Sequence, residues 1–409
     1  MKHWMFFLLL STLATSVLAN NKAALEESLY YQYQKSILSS EKSVSKSFQA
    51  FSKFEQVLYL NALEDLVLEG NETALSALDE IDPFYYELSE QLRLGLLRIK
   101  NRRTRRLPVD VLARVENALR SGSFDLKIIY LLAANEAELK RVGYNSLLNL
   151  AKNYSEFFEL NNTKRVASDV ALRDLFYSSP DLNQVLNGSY ANGVKLYMFC
   201  RTNRLYPCLM VMRDSRGDIV RNNNDGSIWT HKALASAKTG LPSYNRNGNT
   251  PTGVMTIDSV MPTADQAISF GKYRRLILNF IPKTQNDSLL QTLLPDSSKN
   301  EEWWKAGAVA RDMDRDLLRI HGSGKYNPDE LSSFWPFLQT SGCIAQRENT
   351  YGDVTFKDQR VLLDVMMKAM DLTPVYSNET RIKGIFYITE IDSQNAPVTA
   401  QDLHEKGIQ

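Results

Sequence analysis

The sequence predicts an α+β protein, an N-terminal antiparallel helical domain followed by a mainly β domain. Three observations predict it. From Ala23 to about Tyr190 apolar residues recur at helical spacing, with little strand signal. Near Asn187-Gly188 the texture changes to short apolar runs punctuated by turn residues. Residues 273–281, YRRLILNFI, then form the densest strand-like run of the chain, unbroken until Pro282. A length of 409 residues suits two domains, placed at 20–188 (helical, of a length and spacing that suit a repeat-like array) and 189–391. A polar tail, 392–409, is expected to be loose.

Residues 1–19 read as a signal peptide. Lys2 and His3 precede an apolar run from Trp4 to Leu10, and Val17-Leu18-Ala19 resembles a cleavage site. The run is short for a membrane span, so an exported product is expected, with no transmembrane segment after signal removal. In the helical half, Leu25, Leu29, Tyr33 and Ile37 form a first stripe. Phe48, Phe51, Phe54, Val57 and Leu58 form a second, ended by Gly70 and Asn71. Asp82-Pro83 reads as a helix start, and Leu88, Leu92 and Leu96 as an i,i+4 ladder. Further helices are expected at 108–119, 124–139, 144–159 and 164–176. The basic run Arg102-Arg103-Thr104-Arg105-Arg106 reads as a solvated loop, and the helical half as a possible surface for a protein partner.

In the second half, 194–199, 209–212, 252–259, 273–281 and 382–390 read as strands, and 317–320 as a strand delivering His321. A helix is expected from Asp358 to Met370, with Asp358 as N-cap and Val361, Leu362, Val365, Met366 and Ala369 buried. Net charge is +1, which favours neither nucleic acid nor an acidic polymer. No two histidines stand at ligand spacing, and the chain has no phosphate-cradling glycine loop, so neither a cofactor nor a metal is expected.

The chemistry-bearing stretch runs from His321 to Asn349. Cys200 and Cys208 flank a short segment suited to a bridged hairpin in an oxidising compartment, which leaves Cys343 as an unpaired thiol. A lone cysteine is more often an inert small hydrophobe. Paired with an imidazole, however, it can transfer acyl groups, the ring taking the thiol proton and returning it to the leaving amine. Small residues before Cys343 would let the Gly342 and Cys343 amides face an oxyanion. His231 lacks such a context and is the weaker base candidate.

Three pieces, His321-Gly322-Ser323, Thr340-Ser341-Gly342-Cys343-Ile344 and Thr250-Pro251-Thr252-Gly253-Val254-Met255-Thr256-Ile257, together resemble the signature of the L,D-transpeptidase family. These are cysteine enzymes that remodel bacterial peptidoglycan. The likeness spans about residues 190–370. Ser341 stands where the family has histidine, Ala345 stands where it commonly has arginine, and the His-to-Cys interval carries an insertion around Phe334, Trp335 and Phe337. The resemblance implies a divergent member acting on tetrapeptide peptidoglycan stems through a Cys343 acyl-enzyme, in the periplasm or at the cell wall. His321 would be the base, its ring held by a backbone carbonyl near Ser323. Gly322, Ser341, Arg347 and Trp335 would contact substrate. Crosslinking or exchange of the terminal residue is the first expectation. The alternatives are trimming of stems by carboxypeptidase or endopeptidase action, an inactive peptidoglycan-binding module, and a helical scaffold bearing an unrelated cysteine hydrolase.

Overall fold

The computed structural model describes residues 22–39, 51–153, 180–187, 193–281 and 288–408. The expected signal peptide, the helix at 164–176 and the domain boundary at 188 lie outside them. An N-terminal helical region is followed by a mixed β-sheet domain that nearly closes into a barrel, a generic α+β architecture.

The helical region comprises α1 (22–38), α2 (Lys53–Leu68), α3 (Glu72–Glu80), α4 (Leu88–Lys100), α5 (Val109–Ser121), α6 (Leu126–Ala134), α7 (Glu136–Arg141) and α8 (Asn145–Lys152). Helix α2 starts at a capping box. The Glu55 amide donates to Ser52 Oγ, and the Ser52 amide donates to Glu55 Oε2. Helix α4 divides the region. Its Leu92, Leu96 and Ile99 enter a core with α5–α8, and its Leu94 and Leu97 enter another with α1–α3. The expected helix 124–139 is broken at Asn135, between α6 and α7. The stripe of α1 also differs from expectation. Ala23, Glu27, Tyr30, Tyr33 and Ile37 are buried, whereas Leu25 is 59% exposed.

After α9 (Leu182–Asn187) come β1 (Lys195–Arg201), β2 (Cys208–Arg213), β3 (His231–Ala233) and β4 (Gly253–Val260). The short α10 (Ala267–Phe270) leads to β5 (Leu276–Phe280), α11 (Ser288–Thr292), α12 (Lys305–Asp312), β6 (Arg319–His321) and β7 (Ile344–Ala345). A hairpin of β8 (Thr350–Tyr351) and β9 (Val354–Thr355) precedes α13 (Asp358–Ala369), β10 (Gly384–Asp392) and α14 (Ala400–Glu405).

The sheet order is β3-β2-β1-β10-β4-β5-β6-β7. The β1/β10 and β6/β7 pairs are parallel and the other pairs antiparallel. Leu234, just past β3, exchanges both backbone hydrogen bonds with Ala345 of β7, at 3.1 and 2.8 Å, and so nearly joins the two edges.

Side chains alternate across a strand. Leu196, Met198 and Cys200 of β1 accordingly pack with α13, while Tyr197 and Phe199 pack on the opposite face with Trp303, Trp304 and α14. Burial on both faces explains why β1 and β2 read as nearly unbroken apolar runs. The Cys200–Cys208 disulfide ties these two strands together within the first face.

Candidate functional site

The parallel β6/β7 pair brings the two halves of the sequence motif together. Ile320 stands opposite Ile344 and His321 opposite Ala345, so Cys343 enters β7 beside the strand that ends in His321. Around them lies a cavity of about 240 Å³. Of the expected site residues, Gly342 does not line it, and His321, Gly322, Ser323, Ser341 and Cys343 do. So do Glu27 and Tyr31 of α1, Lys238, Phe270, Arg315, Arg319 and Lys325.

His321 is buried, and its Nδ1 is 2.5 Å from the Gly322 carbonyl. The ring is therefore held by a backbone carbonyl, that of Gly322, next to Ser323. With Nδ1–H donating to that carbonyl, Nε2 carries the lone pair. Phe270 meets the ring edge-on, 4.9 Å between centroids. Burial, helped by the nearby charges of Arg275, Arg319 and Lys238, lowers the His321 pKa to about 4. Glu348, buried behind Gly322, has its pKa raised to about 7 by burial.

Cys343 is partly buried, and burial raises the pKa of its thiol. The thiol donates to the Leu317 carbonyl at 3.6 Å. Among the described residues no hydrogen bond joins it to His321. Leu317 has φ +54 and Asp314 φ +54, the left-handed region that non-glycine residues seldom occupy. Arg315, between them, is buried and donates to the carbonyls of Ser243, Asn249, Gly248 and Gly342. Gly342, at φ +102, passes so close that a Cβ there would lie 2.2 Å from Arg315 Nη2.

These findings overturn the expectation of a cysteine acyltransferase, and with it crosslinking, exchange and stem trimming through an acyl-enzyme. Two of the three cysteines form a disulfide. The third is a neutral thiol turned to a backbone carbonyl, beside an imidazole held neutral, so no thiolate–imidazolium pair rests in the site. The oxyanion role expected of Gly342 also fails, because its amide donates to Thr340 Oγ1 at 3.1 Å.

The remaining expected contacts scatter. Ser323 Oγ accepts the Lys325 amide at 3.1 Å. Arg347 pairs with Asp358 at 2.6 Å and lies over the rings of Phe337 and Phe356, away from the cavity lining. Trp335 packs edge-on against Tyr351, also outside the lining. His231 is structural, stacked on Trp229 and 2.6 Å from Gln346 Oε1.

Sequence reasoning missed Glu27, Tyr31, Arg315, Arg319, Lys238, Lys325 and Glu348. Glu27 carried a signal, being an acid on the inward stripe of α1, and Arg319 shares a strand with His321 two positions on. Lys325 and Glu348 lie within the His321–Asn349 stretch and Arg315 just before it, with no motif to mark them, while Tyr31 and Lys238 reach the site through long-range folding.

No family model matches this chain, and neither does any curated protein or solved structure. Among the described residues no group of three or more His, Cys, Asp or Glu is placed to hold a metal, and no helix is long and apolar enough to cross a membrane.

Proposed function

We propose that the cavity is a non-covalent binding site for a carboxylate-bearing peptide. The observation that carries this is a charge imbalance at its walls. The lining acids are Glu27, Asp65 and Asp316, and each is ion-paired with an arginine. Lys238 and Lys325 line the same cavity, are exposed, and make no ion pair among the described residues. An entering carboxylate would meet two ammonium groups that no described carboxylate pairs with directly. The bare Nε2 of His321 supplies an acceptor for a peptide N–H, and Phe270 and Tyr31 supply an apolar wall.

The motif resemblance favours peptidoglycan stems as the peptide and a divergent L,D-transpeptidase-like ancestry for the β domain. The Cys200–Cys208 disulfide favours an oxidising, exported setting such as the periplasm.

Calorimetric titration of the full chain with a tetrapeptide stem, and with the same stem amidated at its C-terminus, tests the reading. The acid should bind and the amide should bind about tenfold more weakly. Lys238→Met/Lys325→Met should weaken the acid by about fivefold and leave the amide unchanged. Intact mass should show no adduct. Equal affinity for acid and amide, or a stable Cys343 adduct, would sink the proposal.

A further inference from the structure

Helix α1 belongs to the helical region, yet one of its side chains is embedded in the wall of the β-domain cavity. Glu27 is 5% exposed. Its Oε1 lies 2.6 Å from Arg275 Nη2, and its Oε2 lies 3.5 Å from Arg319 Nε. Both arginines are almost fully buried, at 1% and 2% exposure. Each is held in place by the β domain itself. Arg275 Nη1 bonds Asp265 Oδ1 at 2.7 Å and its guanidinium lies over the Phe270 ring, while Arg319 Nη1 donates to the Leu318 carbonyl.

The β domain thus orients two guanidinium groups toward one point, and a carboxylate from another part of the chain fills that point. The pair has more donors than Glu27 satisfies, since among the described residues Arg275 Nε lacks a hydrogen-bond partner and Arg319 Nε meets Glu27 only at the longer ion-pair distance. Two fixed guanidiniums converging on one carboxylate are the usual chemistry of carboxylate recognition. Glu27 and Arg319 line the cavity and Arg275 lies outside its lining, so a ligand entering it meets Glu27 and Arg319 first and reaches Arg275 as the Glu27 side chain leaves.

We propose that Arg275 and Arg319 form the carboxylate subsite of the cavity, and that Glu27 of α1 occupies it as an internal ligand in this conformation. The identity of the incoming ligand as a peptide rests on the function proposed above; the subsite itself does not. A ligand carboxylate takes the place of the Glu27 side chain, while the apolar contacts of Tyr30, Tyr33 and Ile37 keep α1 seated.

The test uses the full chain with Glu27→Ala and small carboxylates as probes. Acetate, compared with acetamide and with chloride at matched ionic strength, should raise the thermal midpoint of Glu27→Ala saturably, because it refills the subsite. Wild type should show no such acetate-specific shift, and Glu27→Ala/Arg319→Met should lose it. If Glu27→Ala does not fold in chloride, its refolding in acetate but not in acetamide is the supporting result, and failure in both overturns the proposal. An equal acetate shift in wild type and variant overturns it too. With the stem peptide, Glu27→Gln should bind about tenfold more tightly than wild type, since the internal competitor is weakened. Acetate rescue without any stem binding would keep the subsite and remove the peptide reading. Stem binding without rescue would keep that reading and remove the subsite.

Discussion

At Gly322 an added Cβ would lie 2.0 Å from Glu348 Oε1, so the glycine after His321 is there to admit a carboxyl group. That group is 5% exposed, its Oε1 has no hydrogen-bond partner among the described residues, and its Oε2 accepts the Lys272 amide at 2.5 Å. Burial raises its pKa from 4.5 to about 7. The folded state therefore holds this proton in a range where the unfolded chain has released it. Below about pH 4.5 Glu348 has no effect on pH dependence, and from there to pH 7 it removes stability as pH rises. Glu348→Gln should accordingly be more stable than wild type at pH 8, by on the order of 2 kcal/mol, with the gap closing toward pH 4.5. His321 acts in the opposite sense, its folded value of about 4 making acid destabilising below the ordinary histidine range. It is common to both proteins and cancels in the difference. Denaturant midpoints of the pair across that range decide the matter; a gap independent of pH would remove Glu348 from the account. None of this could be read from the sequence, where Glu348 is an ordinary polar residue five positions after the cysteine.

Elements were legible where their own periodicity governs them and illegible where a distant segment covers them. The strand runs near 194–199, 209–212, 252–259 and 273–281 all contain strands, and α2 ends before Gly70 as the breaker residues require. In α13 the register was one position off in places. Val361 is 43% exposed, Leu363 is fully buried, and Asp358 is the first helical residue after the N-cap Lys357. The tail was misread most. In place of a loose polar end, Thr399 and Asp402 form a capping box that starts α14, and Val398, Leu403 and Ile408 are buried against the sheet face carrying Tyr197 and Tyr387. A few apolar residues spaced among polar ones read as a tail until the surface they cover is known. Leu403→Ala should then cost about 2–4 kcal/mol, as a core truncation does. A loose tail would give no change in the unfolding midpoint.

At the scale of the whole molecule, the two halves share cores and buried charges. Tyr244, Ala306 and Val309 belong to the core of α4–α8, and Leu317 packs against that of α1–α3. Arg246, buried, bonds Asp65 of α2 at 3.0 Å, Asp316 at 2.8 Å and the Asp314 carbonyl at 2.9 Å. Asn61 of α2 donates to that same carbonyl and to the Asp316 carboxylate, and Lys127 of α6 pairs with Asp314. The strained segment 314–317, whose last carbonyl receives the Cys343 thiol, is thus held in place by the helical region.

Two consequences can be measured. Arg246→Met leaves Asp65 buried with, among the described residues, the Tyr30 hydroxyl as its side-chain partner, and should cost about 3–5 kcal/mol, the usual cost of breaking one side of a buried ion pair. Adding Asp65→Asn should recover part of it, because the stranded charge is then gone. Unfolding should also be a single transition, despite a length at which chains commonly divide into independently folding domains. Of the five tryptophans Trp229, Trp303, Trp304 and Trp335 lie in the second half and Trp4 in the expected signal peptide, whereas the described residues before 154 are mainly helical. Tryptophan fluorescence therefore reports chiefly on the β domain and ellipticity at the helical band chiefly on the other half. Coincident curves mean that the cavity cannot keep its shape without the helices that build one wall of it. Separated curves would mean that the β domain holds the cavity alone, and Arg246→Met would then shift only the helical transition.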